Sequence, residues 1–245
     1  MGSFWNNFTA SRTGERKKGL GRWFQILEDQ FMSLFWANLL CVGCALPFLI
    51  SLFFFAQLGD TLSLLGMVLG AALLGPGFTA MNYVCIQLIR DKHIYLWDDF
   101  KKSICRDWKQ SVAFSLIAGL LWGFFAYALR LLITIHGGLG LVYTAVFALN
   151  AFLVMGITLL GFQQIAMVQL PFPGVLRNAL LLILAGKVRS FCAIVFALAA
   201  VGISIWFYEY FVFILLLGAP VLIVMTFNLI FLPVFEEFFP EDEDA

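Results

Sequence analysis

Between Phe31 and Leu58 the chain runs for 28 residues without one charged side chain, and five further predominantly apolar stretches follow it. A bilayer's hydrocarbon core of about 30 Å is crossed by about 20 helical residues at 1.5 Å each, and in that medium only helices or closed barrels satisfy the backbone. Six segments have the length: approximately Phe31 to Leu58, Leu62 to Ile89, Val112 to Ile135, Leu141 to Gln164, Phe191 to Phe207 and Phe211 to Phe235. A barrel would show stretches of alternating polarity, and Leu180-Leu181-Leu182-Ile183-Leu184 does not alternate. The expected fold class is therefore all-α, a polytopic helical membrane protein with about six transmembrane helices. Composition agrees, because 62% of the residues are hydrophobic where a soluble domain has roughly 45–50%. The 15 basic residues balance 15 acidic ones, which removes the basic excess that nucleic-acid binding requires.

Positive charge in short loops stays cytoplasmic, and fourteen of the fifteen Lys and Arg residues fall on one side of this threading. They are Arg12, Arg16, Lys17, Lys18 and Arg22 before the first span; Arg90, Lys92, Lys101, Lys102, Arg106 and Lys109 in the second loop; and Arg177, Lys187 and Arg189 in the fourth. The expectation is a multi-pass protein of the cell membrane with both termini cytoplasmic. A basic segment over 1–19, a single helical domain over 20–235 and an acidic tail over 236–245 divide the chain. The first apolar run exceeds the roughly 7–15 residues of a signal-peptide core, so the N-terminus is expected to be retained. Only Tyr208-Glu209-Tyr210 separates the last two spans, and a re-entrant hairpin there is an open alternative.

Two loops read as helices lying on the cytoplasmic face. Ahead of the first span, Leu20, Trp23, Phe24, Leu27 and Phe31 recur at helical spacing, with Arg22, Glu28 and Asp29 opposite. In the second loop Trp97, Phe100, Ile104, Cys105 and Trp108 form one stripe, with Asp98 and Lys102 spaced as an i,i+4 ion pair. The fourth loop is apolar nearly all round and too short to span, which fits a segment that is re-entrant or packed under other helices. A spacing of 79 aligns Gly77-Phe78-Thr79 with Gly156-Ile157-Thr158 and Ser111 with Ser190, suggesting a parallel repeat of 62–135 on 141–207.

Chemistry-bearing constellations are sparse. Cys41-Val42-Gly43-Cys44 has the spacing of a thiol–disulfide centre but sits mid-span, where an apolar surround keeps thiols inert. Packing residues and a membrane thiol oxidoreductase are its two readings. His93 and His136 lie at opposite faces with no ligand cluster beside them, so no metal and no cofactor is expected. No catalytic grouping is apparent, and the chain is expected not to be an enzyme. Gly66 with Gly70, and Ser115, Gly119 and Gly123, offer small-residue faces for close helix approach or a homo-oligomer contact, while Pro47, Pro76 and Pro220 are expected to kink spans.

The polar residues within spans sort by depth. Asn38, Thr79, Asn82, Gln163, Gln164 and Asn228 all fall in cytoplasmic halves, with Asn150 near mid-span. They are either interhelical glue or the lining of a polar cavity open to the cytoplasm that would take a hydroxyl-rich ligand. Arg130, alone in the outer half, either snorkels to the surface, with Asp60 or Glu209 as partner, or forms an outer anion site.

The run Phe78-Thr79-Ala80-Met81-Asn82-Tyr83-Val84, then Leu88-Ile89-Arg90-Asp91, Asp99-Phe100-Lys101-Lys102 and Lys109-Gln110-Ser111, resembles the YesL-like family of bacterial membrane proteins. Asn38, Leu46-Pro47 and Arg177-Asn178-Ala179-Leu180 extend the likeness; the stretch around Leu74-Gly75-Pro76-Gly77, with an extra proline, departs from it. The family has no established biochemical activity, and its members tend to be encoded near carbohydrate-uptake genes. The resemblance thus implies a context, glycan uptake, and not a reaction; with the apolar spans and balanced charge, the expectation is a non-enzymatic accessory in oligosaccharide uptake whose partners are the lipid bilayer and transporter subunits, with no nucleic acid. A small-solute transporter or channel is the alternative.

Overall fold

A computed structural model describes residues 20–136, 141–168, 170–207 and 210–238. The basic segment before Leu20, the turn at 137–140, Glu209 and the acidic residues past Phe238 lie outside them, as does the His136 side chain. The helices are α1 (Leu20–Leu58), α2 (Thr61–Ile89), α3 (Leu96–His136), α4 (Leu141–Met167), α5 (Phe172–Ala185), α6 (Lys187–Trp206), α7 (Phe211–Leu217) and α8 (Ala219–Phe238). Six of these, α1 to α4, α6 and α8, are long and apolar enough to cross a bilayer. The all-α polytopic expectation holds.

Helix α2 occupies the centre because its glycines let neighbours in. A Cβ on Gly70 would lie 2.6 Å from the backbone nitrogen of Phe48 in α1, and one on Gly75 would lie 2.6 Å from the Ser111 carbonyl in α3. Gly119 in turn faces Ala71 and Val68. The small-residue faces are therefore spent inside the chain, on α1–α2 and α2–α3 packing. The helical path continues through Pro47 and Pro76.

Helix α8 lies parallel to α2 without slip. The Asn228 amide donates to Asn82 Oδ1 at 3.1 Å, and eight residues further along both helices Arg90 meets Glu236 at 3.1 Å, the two pairs sharing a sequence offset of 146. Two helices that run the same way are separated by an odd number of crossings, here α3, α4 and α6. Helix α5, with 14 residues or about 21 Å, is left as a packed basic-end segment that buries Val175, Ala179, Leu182 and Ile183. Gly186 and Lys187, the latter at φ 45°, turn the chain from α5 into α6. In the aligned stretch of α3 no such turn occurs.

Three expectations are corrected. The surface helix of the second loop and the third span are one 41-residue helix, α3, about 60 Å long and so about twice the hydrocarbon thickness. The sixth span is broken: Gly218 adopts φ 112°, separating α7 from α8, with Pro220 in the first turn of α8 where its missing amide costs nothing. The helix preceding the first span, set off by a non-helical Gln30 (φ −125°), is rotated by part of a turn from the expected facing, with Trp23 and Leu27 still packed on the core and Glu28 exposed. It buries Arg22 (5% exposed) and Gln25 and leaves Phe24 57% exposed, because Arg22 has a partner to reach.

Gly70→Ala should force the α1 and α2 backbones apart and cost about 1–3 kcal/mol, read as a fall in the thermal unfolding midpoint of the detergent-purified protein. Gly43→Ala, where a Cβ meets nothing within 4 Å, should hold or raise that midpoint, since Ala is the better helix former.

Candidate functional site

In hydrocarbon a backbone group without a partner is costly, and helix ends and breaks create such groups. Asn38 answers the break at Gly218. From α1 its side-chain amide donates to the Leu215 carbonyl at 2.8 Å, and its Oδ1 accepts the Val221 amide at 3.3 Å. One fully buried side chain thus bridges the last turn of α7 and the first of α8.

Arginines do the same at three helix C-termini. Arg22 donates to the Ile89 carbonyl at 3.1 Å and pairs with Asp91 at 2.5 Å, closing α2. Arg106 donates to the Ala166 carbonyl in the last turn of α4 at 2.9 Å, holds the buried Asp107 at 2.6 Å, and lies over the Tyr83 ring. Gln110, one turn on, reaches the Leu170 carbonyl. At the opposite end of the molecule Arg130 donates to the Phe55 carbonyl at 3.0 Å, closing α1. Its guanidinium lies so close over Gly59 (φ 65°) that a Cβ there would overlap it. A cation at a helix C-terminus also meets the negative end of the helix dipole. Asp60, beside this turn, accepts from the Ser63 hydroxyl, which holds its carboxyl below the usual carboxylate range.

The six polar side chains predicted from the sequence are all buried, none more than 1% exposed. Asn82 donates to the Phe78 carbonyl while accepting from Asn228; Thr79 and Ser111 share a hydroxyl hydrogen bond of 2.9 Å. Gln164 donates to the Leu160 carbonyl at 3.2 Å. Both side-chain polar atoms of Gln163, together with Gln164 Oε1 and Asn228 Oδ1, have no hydrogen-bond partner. Asn150 is different. It is exposed on α4 and bonds its own helix at Val146.

The predicted aromatic stripe divides. Phe100 is buried and Ile104 half-buried, whereas Trp97 and Trp108 are 46% and 51% exposed. The face of α3 that packs inward is instead Phe100, Ser103, Asp107 and Ser111. Asp107 is drawn in by Arg106, which hydropathy counting cannot foresee. Cys41 and Cys44 are free thiols, and their turn packs on Gly77 of α2, with Cys44 Cβ 2.7 Å from where a Cβ would stand. His93 stacks on Tyr95 with centroids 4.9 Å apart. Among the described residues no three His, Cys, Asp or Glu side chains converge as metal ligands.

This fold and its closed polar interior define a multi-pass helical membrane protein. Residues 30–129, less than half of the chain, match the family model described as "Protein of unknown function, DUF624". The match starts at the Gln30 break and takes in the three crossings α1 to α3, and it is consistent with the resemblance noted from the sequence. Asn38, Thr79 and Asn82 fall within it; Arg130, Gln163, Gln164 and Asn228 fall outside. No curated protein and no solved structure matches the chain.

Asn38→Leu strands two backbone groups at the α7–α8 break and should lower stability by about 1–3 kcal/mol, measured by reversible denaturation in mixed micelles. Arg22→Met removes the charged donor that the Ile89 carbonyl and Asp91 share and should cost about 1–3 kcal/mol by the same measurement.

Proposed function

We propose that this chain is a non-enzymatic accessory of oligosaccharide uptake in the cell membrane, acting by binding a partner such as a transporter subunit, with both termini in the cytoplasm. The observation that carries the reading is the basic-end half of α3. It continues the third span as one rigid helix and presents Trp97, Lys101, Lys102, Cys105, Trp108 and Lys109, all exposed. Tryptophan is among the residues enriched where proteins dock. The carbohydrate context comes from the YesL-like resemblance, and the sidedness from the clustering of Lys and Arg. Asn38, Thr79, Asn82, Gln163, Gln164 and Asn228 are closed off from both faces, which favours action at the surface over passage of solute through the interior.

In proteoliposomes the purified protein should carry labelled maltooligosaccharide no faster than empty vesicles. A photo-crosslinker at Trp97 or Trp108 in native membranes should capture an oligosaccharide-transporter subunit. Flux by the protein alone establishes the transporter reading instead, and crosslinks to lipid only defeat the accessory role. For sidedness, Cys105 in a Cys192→Ser background should react with a membrane-impermeant maleimide in inverted vesicles and not in right-side-out ones.

A further inference from the structure

The outer half of α4 stands away from the other crossings. Of residues 142–150 all but Phe147 are exposed, and Phe147 rests on Phe125 of α3 with ring centroids 5.2 Å apart. Helix α3 runs outward and α4 inward, so from that contact Arg130 lies five residues further out and Asn150 three residues further in. By helical rise Asn150 sits about 12 Å inside the level of Arg130, within the hydrocarbon. A primary amide facing lipid tails there is costly unless its groups find partners. Asn150 Nδ2 donates to the Val146 carbonyl of its own helix at 2.9 Å. An amide has a second N–H and an acceptor oxygen as well, and among the described residues no other helix meets them.

The residues around Asn150 are spaced as a helix-pairing seam. Tyr143, Val146, Asn150 and Leu153 follow one another by three, four and three residues, the a/d pattern of helices that wrap left-handedly, with Asn150 at an a position. The three flanking side chains are 49%, 51% and 37% exposed. The next position of the pattern, Ile157, packs against the interior clusters, so the seam stops where the bundle closes around α4.

The amide decides what covers this seam. Lipid tails offer it neither donor nor acceptor, whereas a second amide offers both. Two copies related by a two-fold axis along the membrane normal have parallel α4 helices and bring each Asn150 to its counterpart, the N–H of one donating to the oxygen of the other. A single Asn at an a position selects such parallel two-stranded pairing in coiled coils.

We propose that a second copy of this chain docks on the outer half of α4 along Tyr143, Val146, Asn150 and Leu153, forming a symmetric dimer centred on an Asn150–Asn150 hydrogen-bonded pair. The dimer does not rest on the accessory reading, since Trp97 and Trp108 of α3 lie toward the basic end and stay open to another partner.

The test counts subunits of the C-terminally labelled full chain by single-molecule photobleaching in phosphatidylethanolamine–phosphatidylglycerol liposomes over a range of dilutions. The parent should dimerise, and Asn150→Leu should weaken the dimer about ten-fold or more at an unchanged unfolding midpoint, because the bond it loses is within one helix. Ala148→Leu, exposed on the opposite side of α4, should dimerise as the parent does. In a Cys105→Ser, Cys192→Ser background, copper-phenanthroline oxidation should link Val146→Cys chains into covalent dimers and leave Ala148→Cys chains unlinked. A parent that stays monomeric at every dilution, an Asn150→Leu variant that dimerises undiminished, or crosslinking at 148 in place of 146 would overturn the proposal. So would a photo-crosslinker at position 146 that captures, in native membranes, a different protein and never this chain.

Discussion

Backbone carbonyls at helix ends and breaks have no water to turn to inside a bilayer, and meeting them governs how these helices assemble. Arg130 serves Phe55, Arg22 serves Ile89, Arg106 serves Ala166, and Asn38 serves Leu215 and Val221 together. In each case the donor comes from a different helix than the acceptor, so satisfying the backbone and fixing tertiary position are one event. Apolar packing cannot do this alone, because lipid tails compete equally for a leucine. Directional polar bonds choose the arrangement, and glycine-lined approach of α1 and α3 to α2 then tightens it.

The pairing of α2 with α8 joins the first half of the chain to the last crossing. Asn82–Asn228 and Arg90–Glu236 act as two rungs about 12 Å apart by helical rise. Together with the Asn38 clamp they anchor α8 to both α1 and α2. The aromatic pair Phe227 and Phe231, stacked with centroids 5.8 Å apart, packs with Leu160 of α4 and Ile194 of α6. The interior thus holds the Asn82–Asn228 bond of α2 and α8 among apolar clusters that α4 and α6 help to build.

How much of this could be read beforehand depends on the distance over which each signal acts. The spans were legible because hydropathy is local, and the buried amides were legible by type and depth. The break at Gly218 had a signal, Gly218-Ala219-Pro220, that an apolar count passes over. The continuity of α3 had one too: nothing between Leu96 and Gly119 is Gly or Pro, so the change from charged to apolar at Val112 marked the lipid boundary and not a helix end. Periodicity turns Arg22 outward because it assumes that charge faces water, while the carbonyl that draws it inward lies 67 residues on. The joining of Asn82 with Asn228 likewise depends on a tertiary neighbour that no window of sequence contains.

An uninterrupted α3 has a mechanical consequence. Hydrogen-bonded from Leu96 to His136, it behaves as a stiff lever pivoting where Gly119 and Ser115 press on α2. For a rod of about 60 Å, a tilt of about 10° about its midpoint swings each tip by about 5 Å. Anything that pushes on Trp97 is therefore felt on the far side of the bilayer, beside the arginine that seals the end of α1.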